Sequence, residues 1–159
     1  MKVTVVSVGK IKEMFYSHAI AEYAKRLGRY CTLSMIEIPD EKAPESLSLS
    51  DMRAVKDREG NRILDKIPQG SFVITLEIDG KQKTSEELAE NFEQLALNGT
   101  SHICFIIGGS LGIGDAVKTA SNLSLSFSKM TFPHQLFKVM LLEQVYRAFR
   151  IIRGEPYHK

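Results

Sequence analysis

Little in this sequence points to a secreted, membrane-bound or fibrous protein. Its two cysteines, Cys31 and Cys104, sit inside apolar stretches without CxxC or metal-ligand spacing. They read as buried thiols in a reducing compartment, not as a disulfide or a metal site. No apolar run approaches the roughly 18 residues that a membrane helix needs. The opening Met1-Lys2-Val3-Thr4-Val5-Val6-Ser7-Val8 is too short and too strand-like for a signal peptide, so the expected location is cytoplasmic. Eleven glycines and five prolines in 159 residues leave no room for a collagen-like or linker-dominated chain. Internal repeats and low-complexity tracts are missing. So is a strong charge: 21 basic against 19 acidic residues give +2, which by itself says little for a nucleic-acid partner.

What is present fits one domain over residues 1–159, long enough to bury its own core without staples. Its charge is uneven. Lys129, Lys138, Arg147, Arg150, Arg153 and Lys159 face only Glu143 and Glu155 in the last 31 residues, a net of +4, which leaves −2 for residues 1–128. That end either contacts phosphates or is a solvated helix face balancing its own dipole.

Valine-rich residues 2–8 predict a strand and residues 13–27 a helix stopped at Gly28. Residues 32–38 predict a second strand, followed by a mobile, linker-like loop around Pro39-Asp40-Glu41-Lys42-Ala43-Pro44-Glu45. A charged helix over 51–67 with a weak point at Gly60, a strand over 71–77, and a turn at Asp79-Gly80 come next. Thr84 and Glu87 have capping-box spacing for a helix running to Asn98-Gly99. The apolar run 102–107 reads as a strand covered on both faces. A glycine-rich loop, a short helix from Asp115 and a strand over 123–127 follow. A last helix starts at Pro133 and runs to about Ile152. Strands alternating with helices predict an α/β three-layer sandwich with a largely parallel sheet.

Two segments carry chemistry. Gly108-Gly109-Ser110-Leu111-Gly112-Ile113-Gly114 lies between an apolar strand and a helix, where glycines let the backbone approach a ligand. Asp115-Ala116 after Gly114 excludes a P-loop, and Val117 excludes a dinucleotide fingerprint. The segment is a ligand loop of another kind or a tight turn. The second is Leu123-Ser124-Leu125-Ser126-Phe127-Ser128-Lys129-Met130-Thr131-Phe132-Pro133-His134. Such a loop offers main-chain groups to a purine edge under apolar cover. Alternatively, Thr131 or Ser128 caps the helix and His134 merely occupies its first turn.

Gly108-Gly109-x-x-Gly112, the Leu-Ser-Leu-Ser strand, Thr131-x-Pro133-His134 and the ending Pro156-Tyr157-His158-Lys159 occur in this order over the full chain. In this the chain resembles the RlmH-type enzymes of the SPOUT superfamily, which methylate N3 of a pseudouridine in large-subunit ribosomal RNA. The resemblance implies a deep C-terminal trefoil knot, a homodimer, and S-adenosylmethionine as methyl donor. It implies a donor site at Leu76, Gly108, Phe127, Ser128, Lys129, Met130, Thr131 and Phe132, with no metal. It brings the tail to the active site, so that Tyr157 stacks on a base while His158 and Lys159 contact phosphate or target. His134, Tyr157 and His158 are then the catalytic candidates, with His134, His158 or water as proton acceptor. His18 and His102 read as structural. Modest net charge implies a substrate presented by the assembled ribosome.

Leu136, Val139, Met140, Leu142, Val145, Tyr146, Phe149 and Ile152 surround most of the last helix, which favours a subunit interface. Arg147, Arg150 and Arg153 form a stripe facing RNA phosphate or a partner carboxylate. Other readings stay open: a knotted enzyme acting on tRNA or a ribose hydroxyl, or a ribosome-associated factor with a vestigial loop. A nucleotide hydrolase is disfavoured by the missing P-loop lysine.

Overall fold

The computed structural model describes residues 1–42 and 45–157. These form β1 (Lys2–Val8), α1 (Met14–Leu27), β2 (Thr32–Ile38), α2 (Leu49–Leu64) and β3 (Phe72–Gln82). They continue with α3 (Ser85–Leu97), β4 (His102–Ile107), α4 (Asp115–Ala120), β5 (Leu123–Ser126) and α5 (His134–Ile152). The strands make one sheet in the order β2-β1-β4-β3-β5. Every pairing in it is parallel.

Strand alternation divides the interior in two. In β4, Ile103, Phe105 and Ile107 face one side, where they pack with Leu27 of α1, Leu88 and Phe92 of α3, and Leu141, Leu142, Val145 and Phe149 of α5. Cys104 and Ile106 face the other, against Ile63 of α2, and Ile113 and Val117 beside α4. A strand covered by helices on both faces has no polar side to show, which is why residues 102–107 read as one apolar run. The expected three layers are α1, α3 and α5, the sheet, then α2 and α4.

The Thr84–Glu87 capping box forms in full, and Gly99 closes α3 at φ +84°. The turn expected at Asp79-Gly80 does not exist. The chain stays in β3 as far as Gln82, and its pairing with β5 shifts register between Leu76 and Lys81. Gly80 permits this by proximity, since a Cβ there would meet the Leu125 backbone at 2.7 Å. Gly28 follows α1 in a right-handed conformation, φ −56°, so its glycine character is not used. Gly60 is buried inside α2, with Val117 3.4 Å from where its Cβ would stand.

Every residue of α5 is buried or half-buried. The monomer itself buries Leu141, Leu142, Val145, Ala148 and Phe149. Leu136, Val139 and Met140 are half-buried and belong to neither core. The arginine stripe is engaged within the chain. Arg147 bonds Glu143 at 2.6 Å, Arg150 pairs with Glu155 and donates to the Tyr30 hydroxyl, and Arg153 lies 4.8 Å over the Tyr30 ring. These carboxylates belong to the same chain and hold the tail onto α5. No helix among the described residues is long and apolar enough to cross a membrane.

Candidate functional site: a cavity at the strand ends

β3, β4 and β5 all point their carboxyl ends at the same edge, where open α/β sheets form ligand crevices. Leu76, midway along β3, is where that strand's pairing with β4 ends, opposite Ile107, the last residue of β4, and Phe127 follows β5. Between them lies a cavity of about 360 Å³, bounded by residues 76–79, 107–113 and the run after β5.

The glycine loop forms one wall. Gly109 and Gly112 pair as an isolated bridge, and the Gly112 N–H donates to the Gly109 carbonyl at 3.0 Å. Gly112 has φ +89°, a conformation glycine adopts without steric cost. At Gly108 a Cβ would stand 2.8 Å from Ile113 Cγ1 and 3.0 Å from the Gly112 carbonyl oxygen. Only a bare backbone fits there.

The run 127–132 forms the opposite wall. Ser126 Oγ donates to the Ser128 carbonyl, and Ser128 Oγ accepts from the Met130 N–H, both at 3.0 Å. Ser128 therefore shapes its own loop; neither it nor Thr131 caps α5, whose N-cap, Pro133, has no side-chain bond. Phe137 of α5 stacks on Phe132 with centroids 6.1 Å apart, and meets Phe127 edge-on at 5.0 Å. These three rings give the cavity an apolar side.

Of the residues expected to hold the methyl donor, Leu76, Gly108, Phe127, Ser128, Met130, Thr131 and Phe132 line the cavity. Lys129 is exposed and is not among its lining residues. His134 lines it. A hydrogen bond joins its ring to the Val8 carbonyl, and burial, together with the Lys138 charge, lowers its pKa from the ordinary value. The imidazole is thus neutral at pH 7, with one nitrogen engaged and the other an acceptor.

Tyr157 lies elsewhere. Its hydroxyl donates to Glu143 at 3.1 Å, its ring meets Tyr146 at 4.9 Å, and the Arg147 guanidinium sits 4.6 Å above it. Burial and the Glu143 charge push its pKa up to about 12. His158 and Lys159 lie outside the described residues. His102 bonds Thr4 Oγ1 at 2.8 Å, an inter-strand role; His18 is exposed on α1.

The cavity also contains residues that sequence reasoning passed over: Glu77, Asp79 and Lys118. Burial raises the Glu77 pKa, but hydrogen bonds from Thr75 and Ser124 and the Lys118 charge outweigh it and hold the carboxylate below its ordinary range. Thr75 Oγ1 donates to it at 2.7 Å and Lys118 Nζ approaches at 3.4 Å. Charged residues at the end of an apolar strand were the available signal. The same end of the sheet presents polar backbone, the Glu77–Lys118 ion pair with Asp79 beside it in the lining, and aromatic cover, a few polar groups in a largely apolar site as small-ligand pockets have.

A parallel α/β sheet with a glycine-walled cavity at its carboxyl edge defines the class of open-sheet proteins that bind small ligands there. Comparison with known proteins narrows this. The family described as "Predicted SPOUT methyltransferase" matches residues 1–158, and the chain belongs to that family. A Bacillus pumilus protein named "Ribosomal RNA large subunit methyltransferase H" is 58% identical over 159 residues, all of both chains. A Clostridium botulinum protein of the same name is 57% identical over the same full lengths. A solved "probable methylase family protein from Haemophilus influenzae Rd KW20" shares the fold at TM-score 0.53 and 12% identity, covering 99% of this chain and 70% of that one.

Proposed function

We propose that this protein is a single-domain homodimeric enzyme. In this reading it transfers a methyl group from S-adenosylmethionine to N3 of a pseudouridine in large-subunit ribosomal RNA, acting on the assembled ribosome. The observation that carries the reading is the cavity at the ends of β3, β4 and β5, in which seven of the eight residues expected at the donor meet. Relatives of matching length that are named as large-subunit rRNA methyltransferases support the substrate class. Such a substrate puts the enzyme in the cytoplasm.

The cavity fits the donor on three counts. Its volume is within the range of small-ligand pockets, about 300–1,000 Å³. Gly108, packed so closely on Ile113 and Gly112 that a Cβ would clash, keeps the loop tight and leaves bare backbone in the cavity wall. Asp79, beside the Glu77–Lys118 pair, gives the lining a net negative charge that complements a cationic donor. When bound, S-adenosylmethionine supplies a methyl group already activated on a sulfonium. The protein has to align an acceptor with it, an effect worth up to about 7–11 kcal/mol.

The chain's residues divide that work. Leu76, Gly108, Phe127, Ser128, Met130, Thr131 and Phe132 bind the donor, partly through backbone. Phe127, Phe132 and Phe137 exclude water from one side. The N3 imide must lose a proton, and the neutral His134 in the cavity wall accepts it. A His134→Ala enzyme with an undiminished single-turnover rate at saturating substrates would remove His134 as base and leave His158 or water.

The homodimer is supported by apolar side chains that the monomer leaves uncovered. Met14 is 71% and Phe15 63% exposed. Gln135 Oε1 accepts from the Lys12 and Glu13 N–H groups, so the start of α1 adjoins the start of α5, where Leu136, Val139 and Met140 are half-buried. Pairing of these surfaces would bring one subunit's tail, with Tyr157 and His158, toward the other's cavity. The deep C-terminal trefoil belongs to the same reading, with β5 at the sheet edge and α5 returning to pack on α1 and α3.

Mass spectrometry of ribosomal RNA from cells with and without the protein tests the activity: one methylated pseudouridine should vanish with it. Calorimetry with S-adenosylmethionine tests the cavity, and no detectable binding would favour a non-enzymatic ribosome factor. Naked rRNA fragments methylated as fast as ribosomes would defeat the assembled-ribosome part.

A further inference from the structure

Glu59 of α2 is the only acidic side chain among the described residues that is fully buried, at 4% exposure. A buried carboxylate is costly, and burial raises its pKa. An apolar residue of similar size would cost less, so what the carboxylate touches is informative. Its Oε1 lies 2.7 Å from the position a Cβ would take on Gly109, in the wall of the proposed donor cavity. Its Oε2 accepts from the Glu41 N–H at 3.1 Å.

The contact is part of a wider seam. Lys56, Glu59 and Gly60 share one face of α2, being three and four residues apart. A Cβ on Gly114 would stand 3.0 Å from the Lys56 carbonyl oxygen, and one on Gly60 would stand 3.4 Å from Val117. The two ends of the glycine loop, at Gly109 and at Gly114 before α4, therefore rest on α2. On the other side, the Glu41 carboxylate bonds Arg62 at 2.5 Å and approaches Arg58 at 3.6 Å. Arg62 also donates to the Pro39 carbonyl at 3.2 Å. Glu59 is the point where the 39–42 segment and the glycine loop meet.

We infer that Glu59 is a positioning residue that locks the glycine loop to the 39–42 segment and thereby sets how tightly the cavity holds its ligand. Glu59 touches no substrate itself. It acts through Gly109, and the inference rests on the donor site proposed above. Glutamine keeps the shape and the acceptor for Glu41, whereas alanine removes both contacts.

Calorimetry with S-adenosylhomocysteine, alongside steady-state kinetics of the full-length enzyme on ribosomes, tests it. Glu59→Ala should weaken ligand binding and raise KM for the methyl donor about tenfold, with kcat at saturation held within roughly twofold. Glu59→Gln should stay near wild type. Hydrogen exchange adds a readout that simple loss of stability would not move: ligand should slow exchange in both 108–112 and 39–42 of the wild type, but only in 108–112 of the alanine variant. Should Glu59→Ala not fold, Glu59→Asp, one methylene too short to span both contacts, carries the same expectation. Wild-type affinity in these variants overturns the inference, as does an equal collapse of KM and kcat in alanine and glutamine variants alike. Failure of the wild-type protein to bind S-adenosylhomocysteine would instead bring down the donor site, and this inference with it.

Discussion

The Lys138 ammonium, in a side chain 1% exposed, donates to the carbonyl oxygen of Gly9 at 2.9 Å and lies 3.3 Å from Glu37 Oε1. One turn earlier, His134 bonds the Val8 carbonyl and Gln135 accepts from the Lys12 and Glu13 amides. The first turn of α5 is thus fastened to the bend after β1. Lys138→Met fills the space but leaves the half-buried Gly9 carbonyl without its donor. It should cost about 1–3 kcal/mol, seen as roughly 2–4 °C of Tm per kcal/mol in thermal melts. An unchanged Tm would mean the ammonium contributes nothing net.

Gly108 and Gly99 offer a controlled pair. Gly108→Ala meets Ile113 and the Gly112 backbone in the cavity wall, so it should weaken S-adenosylmethionine binding about tenfold or more, by roughly 1.4 kcal/mol. Gly99 has φ +84° and open space around it. Gly99→Ala should cost about 1 kcal/mol of stability through backbone strain alone and leave affinity intact. Equal affinities for both variants would show that the glycine loop does not approach the ligand.

His134 makes stability depend on pH. Its folded pKa is lowered by burial and the Lys138 charge, with the Val8 bond and Asp40 acting the other way, while an unfolded histidine titrates near 6.5. Below about pH 6.5 the unfolded chain therefore binds more protons, and stability falls as pH drops toward the folded pKa. Burial lowers His102 as well, adding a slope of the same sign. Urea midpoints measured from pH 7.5 to 5 should fall less steeply in His134→Asn than in wild type. A slope unchanged by the substitution would show that His134 is not held neutral by the fold.

Burial pushes the Cys104 thiol up to about 12 and Cys31 up to about 11. Both sit far above the ordinary range near 8.5, so little thiolate exists at neutral pH. Iodoacetamide at pH 8 should leave the native protein unlabelled over minutes and label both cysteines after denaturation. Rapid native labelling at either position would contradict the packing around Leu27 and Ile106.

Several features were legible in the chain because they arise within a few residues. The capping box at Thr84 and Glu87, the two-faced burial of 102–107 and the glycine wall at Gly108 each follow from local spacing and steric demand. The turn read at Asp79-Gly80 shows the opposite case. A glycine next to an aspartate signals a turn by local preference, yet here Gly80 is small so that β3 can run against Leu125 of β5. Glu77, Asp79 and Lys118 were missed for a related reason: they are ordinary surface charges until β3 and α4 bring them to one cavity.

The sequence by itself determined the α/β alternation, the buried strands, the family and most of the loops that meet at the site, since hydrophobic period and glycine placement act over short distances. Only the tertiary structure decided which charges those loops would enclose, that Tyr157 would lie on α5, and that Arg150 and Arg153 would both meet Tyr30. Arg150 and Tyr30 are 120 positions apart, and no local preference of the chain encodes which distant partner a side chain will find.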